Sequence, residues 1–330
     1  MNPAKCDEYD YIHFLISTPR VYTCTEAARV QPEQPNPPAH DALTRLLYRL
    51  DATPAQLWVE AQPLVRRHGG MLVLDDSTLE KPDAQPIALV SRHWSGKQHA
   101  VVQGLNLITL LWTDGDSHIP CDYRLYHKVQ DQLTKNDHFL ALLQAAQERG
   151  FSPQCVVFDS GYSSLTNLKA VRNYGWPWLT QLKANRLVSQ DHQPTVPVSR
   201  VVITGASAQV HLKGYGLIQV FRVVTPDGDT EHWATNDLTM TRLTRLAWAE
   251  RAWTIETYHR GIKQFCGIER CQARGAKAQR HHIGLAVRAF LRLEGHSLRT
   301  GLSWFELKMQ IIRQAVRADI PHPSYCSSRI

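Results

Sequence analysis

The chain has 330 residues, of which 43% are hydrophobic, and it carries 37 Lys and Arg against 30 Asp and Glu, a formal net charge of +7. This length and hydrophobic content exclude a disordered chain and predict a globular protein of one large or two ordinary domains. The basic excess favours a polyanionic partner, although many basic proteins bind none.

Cysteine content and hydropathy indicate the compartment in which the protein is expected. The seven Cys are scattered and form no C-x-x-C pair, so the sequence suggests neither a disulfide framework nor a zinc site. The N-terminus carries acidic residues where a signal peptide needs an apolar run, and the longest uncharged stretch, AVVQGLNLITLLWT, is shorter than a membrane span. We therefore expect a cytoplasmic protein with reduced thiols and no membrane partner.

The first predicted region, residues 1–69, is helical and a possible DNA-binding region. Residues 1–40 end in the Pro-rich stretch VQPEQPNPPAH, which predicts little structure, and DALTRLLYRL then predicts a short amphipathic helix. A second helix is indicated by TPAQLWVEAQPLVRRHG, with Thr53 as the N-cap, Pro54 at the first helical position and Gly69 as the stop.

The remaining chain divides into three predicted regions. Residues 70–183 alternate strands (MLVLD, HAVVQGLNLITLLWTD, IPCDYRLYH, QCVVFD, WPWLTQLK) with helices at roughly 134–149 and 163–173, which predicts a mixed α/β core. Residues 184–238 begin as a predicted loop and continue as a small antiparallel sheet, a β-rich insertion. Residues 239–330 are predicted to be helical and to complete the core.

Two predicted strands each run into a carboxylate. MLVLDDSTLEKP leads to Asp75 and Asp76, and CVVFDSGYSS leads to Asp159. Adjacent strands can bring such acids together, and like charges this close repel unless divalent cations neutralise them. A third carboxylate, Glu256 in the helical stretch WTIETYHRGIKQ, has Lys263 seven residues later on nearly the same face. Each acid alone fits an ordinary turn, cap or exposed helix position, so the metal-site hypothesis depends on the whole set.

Three motifs carry a resemblance to a known family. LDDST, VFDSGYSS and WTIETYHRGIKQ, in this order, resemble a bacterial insertion-sequence transposase of the DDE type, within the IS4-like group and most similar to the IS701 family. The D-x-G-Y form of the second motif is matched by Asp159, Gly161 and Tyr162, and the third motif by Glu256 and Lys263. EKP, RHWSGKQHAVVQGLNLITLLWTDG and IPCDYRLYHK extend the similarity.

The third motif departs from the family pattern. That pattern usually has an Arg four residues before the Glu, with a Tyr further upstream, whereas this chain has Ala252 and Ala249 there. Arg251 lies one residue early, which puts its contribution to end-sequence binding in doubt.

The first motif is ambiguous. The family's D-x-[ST] form is met by Asp75 and by Asp76, and strand alternation lets only one of these side chains face the cluster. Asp75 is the preferred acid because it is closer to the strand proper, and Asp76 is the alternative.

The resemblance implies an RNase H-like catalytic core in which Asp75, Asp159 and Glu256 hold two Mg²⁺, with Mn²⁺ able to substitute. One ion would activate a water and later a DNA 3′-hydroxyl for attack on a phosphodiester, while the other would stabilise the leaving oxygen. The implied reaction is cleavage of transposon ends followed by strand transfer into target DNA. The implied partners are terminal inverted repeats, target DNA and a second copy of the chain, in the bacterial cytoplasm and at the nucleoid when DNA is bound.

The same resemblance places Lys263 at a phosphate near the cleaved end. Arg270, Arg274, Lys277 and Arg280 recur at helical spacing, which predicts a cationic stripe on one helix face. A solvated helix surface is the alternative, but the closeness of the stripe to Glu256 in the sequence favours contact with the DNA backbone. Trp248, Trp253 and Tyr258 are predicted to be core residues. The further DNA-binding candidates are His259, Arg260, Tyr162, Arg251, Arg270, Arg274, Lys277 and Arg280.

Two other functions stay open at this point. One is a nuclease or resolvase with the same core that cuts DNA without joining it, and the other is a non-catalytic DNA-binding relic. The three acids in register with Lys263 argue against the relic, but they do not separate cutting from joining.

Overall fold

The computed structural model describes the chain apart from two terminal and three internal segments. The described residues are 4–82, 87–95, 100–190 and 193–321. The helices, in chain order, are α1 Glu8–Ser17, α2 Cys24–Arg29, α3 His40–Arg49, α4 Pro54–Ala61, α5 Lys128–Asp131, α6 Lys135–Glu148, α7 Leu165–Asn173, α8 Arg242–Ala252, α9 Thr254–Phe265, α10 Ala276–Thr300 and α11 Trp304–Asp319. The strands are β1 Met71–Glu80, β2 Ser91–Ser95, β3 Ala100–Thr113, β4 Ile119–Tyr126, β5 Cys155–Phe158, β6 Trp178–Leu182, β7 Leu187–Ser189, β8 Val196–Pro197, β9 Ala208–Leu212, β10 Gly216–Val224 and β11 Thr230–Thr235.

The chain forms two compact units, each built from separate segments. The first unit contains Met1–Ala61, Leu79–Gly104 and Tyr258–Ile330, and the second contains Gln62–Thr78 and Leu105–Thr257. The four consecutive regions expected from the sequence (1–69, 70–183, 184–238 and 239–330) stay a prediction about chain organisation.

The second unit is organised by a mixed sheet. Its strand order is β3-β1-β5-β6-β11-β10-β9-β7-β8, and β4 also pairs with β3. Strand β5 lies parallel to both β1 and β6, and its four residues are all buried. A strand buried on both faces needs an almost continuous apolar run, which CVVF provides. The parallel part of the sheet is therefore the core of this unit.

The insertion extends this sheet instead of forming a separate one. Strand β11 pairs antiparallel with β6, with Trp233 opposite Gln181, and β10 and β9 follow in turn. The stretch predicted to be a loop before them contains two short strands, β7 and β8. Such short strands escape a pattern search because they contain too few residues to alternate.

The first unit packs helices from both ends of the described chain around α10. Helices α1, α3 and α4 all contact α10, and Arg288 of α10, only 3% exposed, pairs with Glu8 at 2.8 Å and Glu60 at 2.6 Å. A buried charge is tolerated only when it is paired, so these acids fix α1 and α4 on α10. Within the described ranges, no helix has both the length and the apolar character required to cross a bilayer.

One detail of the N-terminal prediction was wrong. Helix α4 ends at Ala61 and passes into a 3-10 turn, instead of continuing to Gly69. The reason is Pro63, which lacks an N–H and restricts the residue before it. Residues 1–40 also contain α1 and α2, and α1 begins with a capping box between Asp7 and Asp10.

The predicted fold class is confirmed. The chain is mixed α/β, with a large mixed sheet that includes the β-rich insertion and with helices toward both ends. Parts of the sequence-based predictions lie outside the described residues, namely positions 1–3 of the N-terminal region, 83–86 and 96–99 of the predicted core, 191–192 of the insertion, and 322–330 of the C-terminal helical region, which include Cys326.

Candidate active site

Strand register brings two of the predicted acids to one place in the sheet. The last parallel pair of β1 and β5 joins Leu74 to Phe158, so Asp75 and Asp159 each follow directly after that pair. Strand β5 ends there, but β1 continues to Glu80. Asp75 therefore lies within a strand, at the point where its parallel partner stops, and not at a strand end as the sequence suggested.

Asp159 shapes the turn that follows β5. Its carboxylate accepts a hydrogen bond of 2.5 Å from the backbone N–H of Ser160 and caps the 3-10 turn Ser160–Tyr162. The backbone N–H of Tyr162 in turn donates to the carbonyl of Asp159 at 3.0 Å. The exposed carboxylate is thus held by its own turn at the edge of the buried strands.

Glu256 approaches the same place from helix α9. The helix begins at Thr254, and Glu256 lies exposed in its first turn, where the helix dipole favours a negative charge. A Glu256 carboxylate oxygen lies within 4.8 Å of an Asp75 carboxylate oxygen. The second unit therefore brings Glu256 to Asp75, whereas Asp159 is placed by the strand register at the end of the neighbouring strand.

The electrostatics of this cluster favour a bound cation. Burial raises the pKa of Asp75 well above its ordinary value, and the charges of Asp76, Glu256 and Asp159 raise it further. Carboxylate oxygens are the ligands that Mg²⁺ and Mn²⁺ prefer, and a divalent ion would remove the repulsion among them. The donor set accordingly fits a divalent metal.

Asp76 has different surroundings from Asp75. Its Oδ1 accepts a hydrogen bond from the Tyr162 hydroxyl at 2.7 Å, and its Oδ2 accepts from the Asn106 amide at 2.6 Å and from the Lys135 ammonium at 2.8 Å. Although burial alone raises the pKa of Asp76, the Lys135 charge and these three hydrogen bonds lower it below the ordinary value. Asp76 is an ionised acceptor with protein donors on both oxygens. We call Asp76, Asn106, Lys135 and Tyr162 the Asp76 network.

The network changes the interpretation of Tyr162. The sequence analysis placed this residue among the DNA contacts, but its side chain is 2% exposed and stacks on Phe139 with ring centroids 5.2 Å apart. It has no free surface to offer to DNA. Asn106 and Lys135 were missed because they lie 30 and 59 residues from Asp76 in the sequence, and no motif connects them.

The basic candidates differ widely in exposure. Arg251 is exposed in the second unit and extends along the backbone at Gly115. In the first unit, Arg260 is exposed and His259 is buried at 4% exposure. Lys263 forms an ion pair with Glu269 at 3.0 Å. A buried imidazole is a poor DNA contact, so the prediction for His259 loses support.

The predicted cationic stripe does not lie on one helix. Helix α9 ends at Phe265 and α10 begins at Ala276, so Arg270 and Arg274 occupy a non-helical connection. The helix is interrupted at Gly267, which adopts a φ of +59° and whose added Cβ would lie 2.4 Å from the Tyr22 ring. Three of the four basic residues are exposed and the fourth is half-buried; the exposed ones are Arg270, Arg274 and Lys277.

Residues 266–275, which we call the basic loop, are fixed by buried side chains of the first unit. The Lys81 ammonium donates to the Glu269 carbonyl at 2.5 Å and to the Cys271 carbonyl at 2.7 Å. The Gln279 amide donates to the Ala273 carbonyl at 2.5 Å. His282, which accepts from the Tyr11 hydroxyl at 3.0 Å, donates its Nε2–H to the Gly267 carbonyl at 3.0 Å. Lys81 belongs to the EKP motif, whose role the sequence alone did not indicate.

The aromatic residues near Glu256 divide between core and surface. Tyr258 is fully buried, as predicted, and Trp248 is half-buried. Trp253 is 64% exposed, so the prediction that it is a core residue was wrong. The turn between α8 and α9 directs it outward, whereas a single continuous helix had been assumed.

The chain is similar to known proteins in sequence and in fold. A family model described as DDE superfamily endonuclease matches residues 27–207, a range that contains Asp75, Asp76 and Asp159 but not Glu256. The fold is similar to that in the cryo-EM structure of a piggyBac transposase synaptic complex with hairpin DNA, with a TM-score of 0.54 and 11% sequence identity over 98% of this chain and 74% of that one. No curated protein matches the chain.

Proposed function

Because the chain belongs to the DDE superfamily endonucleases, we propose that it is a transposase that cleaves transposon ends and transfers them into target DNA. On its three motifs we assign it to the IS4-like group, nearest to the IS701 family. One observation carries the proposal: Asp75 and Asp159 follow the last parallel pair of two buried strands, and Glu256 reaches Asp75 from α9.

Asp75, Asp159 and Glu256 are the residues that would hold the metal. Two Mg²⁺ bound there would supply an activated water or 3′-hydroxyl and stabilisation of the leaving oxygen. The chain's own contribution is placement, because the strand pairing fixes Asp75, the capped turn fixes Asp159 and the first turn of α9 fixes Glu256. Asp76 is not assigned as a ligand, since its oxygens already accept from Asn106, Lys135 and Tyr162.

DNA is the proposed partner, through phosphate contacts of exposed and half-buried basic side chains. Lys263, Arg260 and Arg251 lie on or next to α9, the helix that carries Glu256, and Arg270, Arg274, Lys277 and Arg280 follow. A homodimer is proposed for the DNA complex because two ends must be paired before joining. The structural neighbour, whose title names a synaptic complex with DNA, is consistent with this partner.

The decisive experiment separates joining from cutting. The purified full chain is incubated with Mg²⁺, a supercoiled plasmid and a duplex that carries the DNA flanking the coding sequence, where the proposal expects a terminal inverted repeat. A transposase releases the end and joins it to the plasmid, whereas a nuclease only cuts. Glu256→Gln should abolish both reactions and keep DNA binding, and Glu148→Gln, an exposed acid on α6, is the matched control that should keep both.

The metal requirement provides a second test. Mg²⁺ or Mn²⁺ should support cleavage, and Ca²⁺ should support DNA binding without turnover, because Ca²⁺ takes a looser and higher coordination that is unsuited to in-line attack. Cleavage that continues undiminished in excess EDTA would contradict the proposal.

A further inference from the structure

The geometry points to Tyr162 as a positioning residue: through its hydrogen bond to Asp76 it sets the spacing between Asp75 and Asp159, and with it the affinity of the site for a divalent cation. This inference rests on the proposed function, because it assumes that those two acids hold the cation. It assigns to Tyr162 and Asp76 a role that neither DNA contact nor metal ligation supplies.

The hydrogen bond joins two parts of the site that are far apart in sequence. The Tyr162 hydroxyl and Asp76 Oδ1 are 2.7 Å apart although the residues are separated by 86 positions. Asp76 is the covalent neighbour of Asp75, and the N–H of Tyr162 donates to the carbonyl of Asp159. A displacement of Tyr162 therefore moves the turn that carries Asp159 relative to the strand that carries Asp75.

Tyr162 is itself held rigidly. Its ring stacks on Phe139 at an interplanar angle of 19°, and Phe139 makes an edge contact with Phe158 at 5.0 Å. Its carbonyl accepts from the Asn167 amide at 2.9 Å. The ring cannot swing without breaking these contacts, so the hydroxyl is a fixed point from which the strand end is located.

Asp76 is equally constrained on its other oxygen. Asn106 on β3 and Lys135 at the start of α6 both donate to Oδ2, so one carboxylate connects a strand, a helix and a 3-10 turn. Successive side chains of a strand point to opposite faces, so Asp76 anchors β1 on the face opposite to the one where Asp75 meets Glu256. Substitution of residues that position metal ligands without binding the metal commonly changes metal affinity by about 10–100-fold.

The test compares two buried tyrosines of the second unit. Tyr162→Phe removes the hydroxyl and keeps the stacked ring. Tyr215→Phe, the matched control, removes a hydroxyl that accepts from the Trp178 indole at 2.8 Å and does not contact the Asp76 network. Binding of Mn²⁺ to the full chain without DNA is measured by electron paramagnetic resonance, and the Mg²⁺ concentration for half-maximal cleavage is measured with the inverted-repeat duplex. Both variants are assayed at a temperature at which circular dichroism shows them folded.

We expect Tyr162→Phe to weaken Mn²⁺ binding about tenfold and to raise the required Mg²⁺ concentration by a similar factor, with DNA affinity unchanged. Tyr215→Phe should bind Mn²⁺ like the wild type. Equal Mn²⁺ affinity of Tyr162→Phe and the wild type would overturn the positioning role while leaving the proposed function intact. A wild type that neither binds Mn²⁺ nor cleaves would overturn the proposed function itself.

A second comparison, of Asp76→Asn with Asp76→Ala, tests the inference even if Tyr162→Phe is unstable. The Asn carbonyl can still accept from Tyr162, so positioning predicts that Asp76→Asn loses less Mn²⁺ affinity than Asp76→Ala, which cannot accept. Simple charge loss predicts equal effects of the two substitutions, because each deletes the same carboxylate beside the cation. Equal Mn²⁺ affinities of Asp76→Asn and Asp76→Ala would therefore contradict the inference.

Discussion

Asp75 and Asp159 of the second unit lie on or directly after paired strands, whereas the basic loop of the first unit has no regular secondary structure and is held by Lys81, Gln279 and His282. In the sheet, neighbouring strands satisfy the backbone polar groups, whatever the side chains are. In the loop, individual side chains satisfy the carbonyls. Substituting Asp75 should therefore spare the fold, and substituting the residues that hold the loop should not.

The largest expected effect is the difference in cleavage rate between Asp75→Ala and Asp76→Ala. Asp75→Ala should reduce the single-turnover cleavage rate by at least about a thousandfold, because a metal ligand contributes several kcal/mol to the transition state. DNA affinity should be kept or improved, since a negative charge near the phosphates is removed. Asp76→Ala should retain part of the activity.

The free energy of unfolding should rank these two variants in the opposite order from the cleavage rate. Asp75→Ala relieves repulsion among clustered carboxylates, so its metal-free form should be at least as stable as the wild type. Asp76→Ala leaves the buried donors of Asn106 and Tyr162 without their acceptor, at a cost of about 1–3 kcal/mol for each, whereas the ammonium of Lys135, 37% exposed, can turn to solvent. Thermal unfolding without metal measures this difference. An inactive Asp76→Ala beside an active Asp75→Ala would move the ligand by one residue.

The sequence could predict the acids but not the network behind them. An apolar strand that runs into Asp75 or Asp159 is a local pattern. The parallel pairing of β1 with β5 is not, because strands β2, β3 and β4 and helices α5 and α6 lie between them in the sequence. Asn106 and Lys135 meet Asp76 only through tertiary packing. Lys135 follows the N-cap Thr134, which locates a helix start but does not indicate what the Lys contacts.

Substitution of four basic residues in and after the basic loop provides the next test of the difference between the two units. Charge-neutralising substitution of four residues together should flatten the salt dependence of DNA affinity by roughly one unit of log–log slope for each phosphate that is no longer bound. Between 50 and 200 mM salt this corresponds to about a hundredfold smaller fall in affinity. The measurement is a salt titration with a duplex of random sequence, and an unchanged slope would make these residues ordinary surface. The four are Arg270, Arg274, Lys277 and Arg280.

The break between α9 and α10 shows why the shared helix face was predicted wrongly. The spacing of the basic residues fits a helix, but Gly267 adopts a positive φ and Gly275 becomes the N-cap of α10. Both glycines were visible in the sequence. Their effect depends on the Tyr22 and Tyr48 rings packed against them, and those contacts are tertiary.

A pH titration of stability tests whether His282 holds the basic loop. Burial lowers the pKa of His282 from 6.5 to about 4 in the folded protein. The unfolded chain therefore binds this proton more readily, and the stability that His282 provides is fully present above pH 6.5 and is lost as the pH falls toward 4. Between pH 7.5 and pH 5 this amounts to about 2 kcal/mol.

Denaturant unfolding at these two pH values measures the effect. His282→Gln should be less stable than the wild type at pH 7.5, and it should show about 2 kcal/mol less pH dependence. The exposed His13 is the matched control, and His13→Gln should keep the full pH dependence. If His282→Gln titrates like the wild type, the acid sensitivity arises elsewhere.

The smallest expected effect concerns Lys263, whose ion pair with Glu269 occupies the charge that we propose for a DNA phosphate. Glu269→Gln removes the competing carboxylate and keeps an oxygen that can accept from the Glu80 N–H, a hydrogen bond of 3.1 Å. DNA affinity should rise a few-fold, because half-buried ion pairs of this kind contribute about 1 kcal/mol or less, and the salt dependence should steepen. Adding Lys263→Met to Glu269→Gln should cancel the gain. A gain that persists in the double variant would show that Glu269 acts by general repulsion of DNA and not through Lys263.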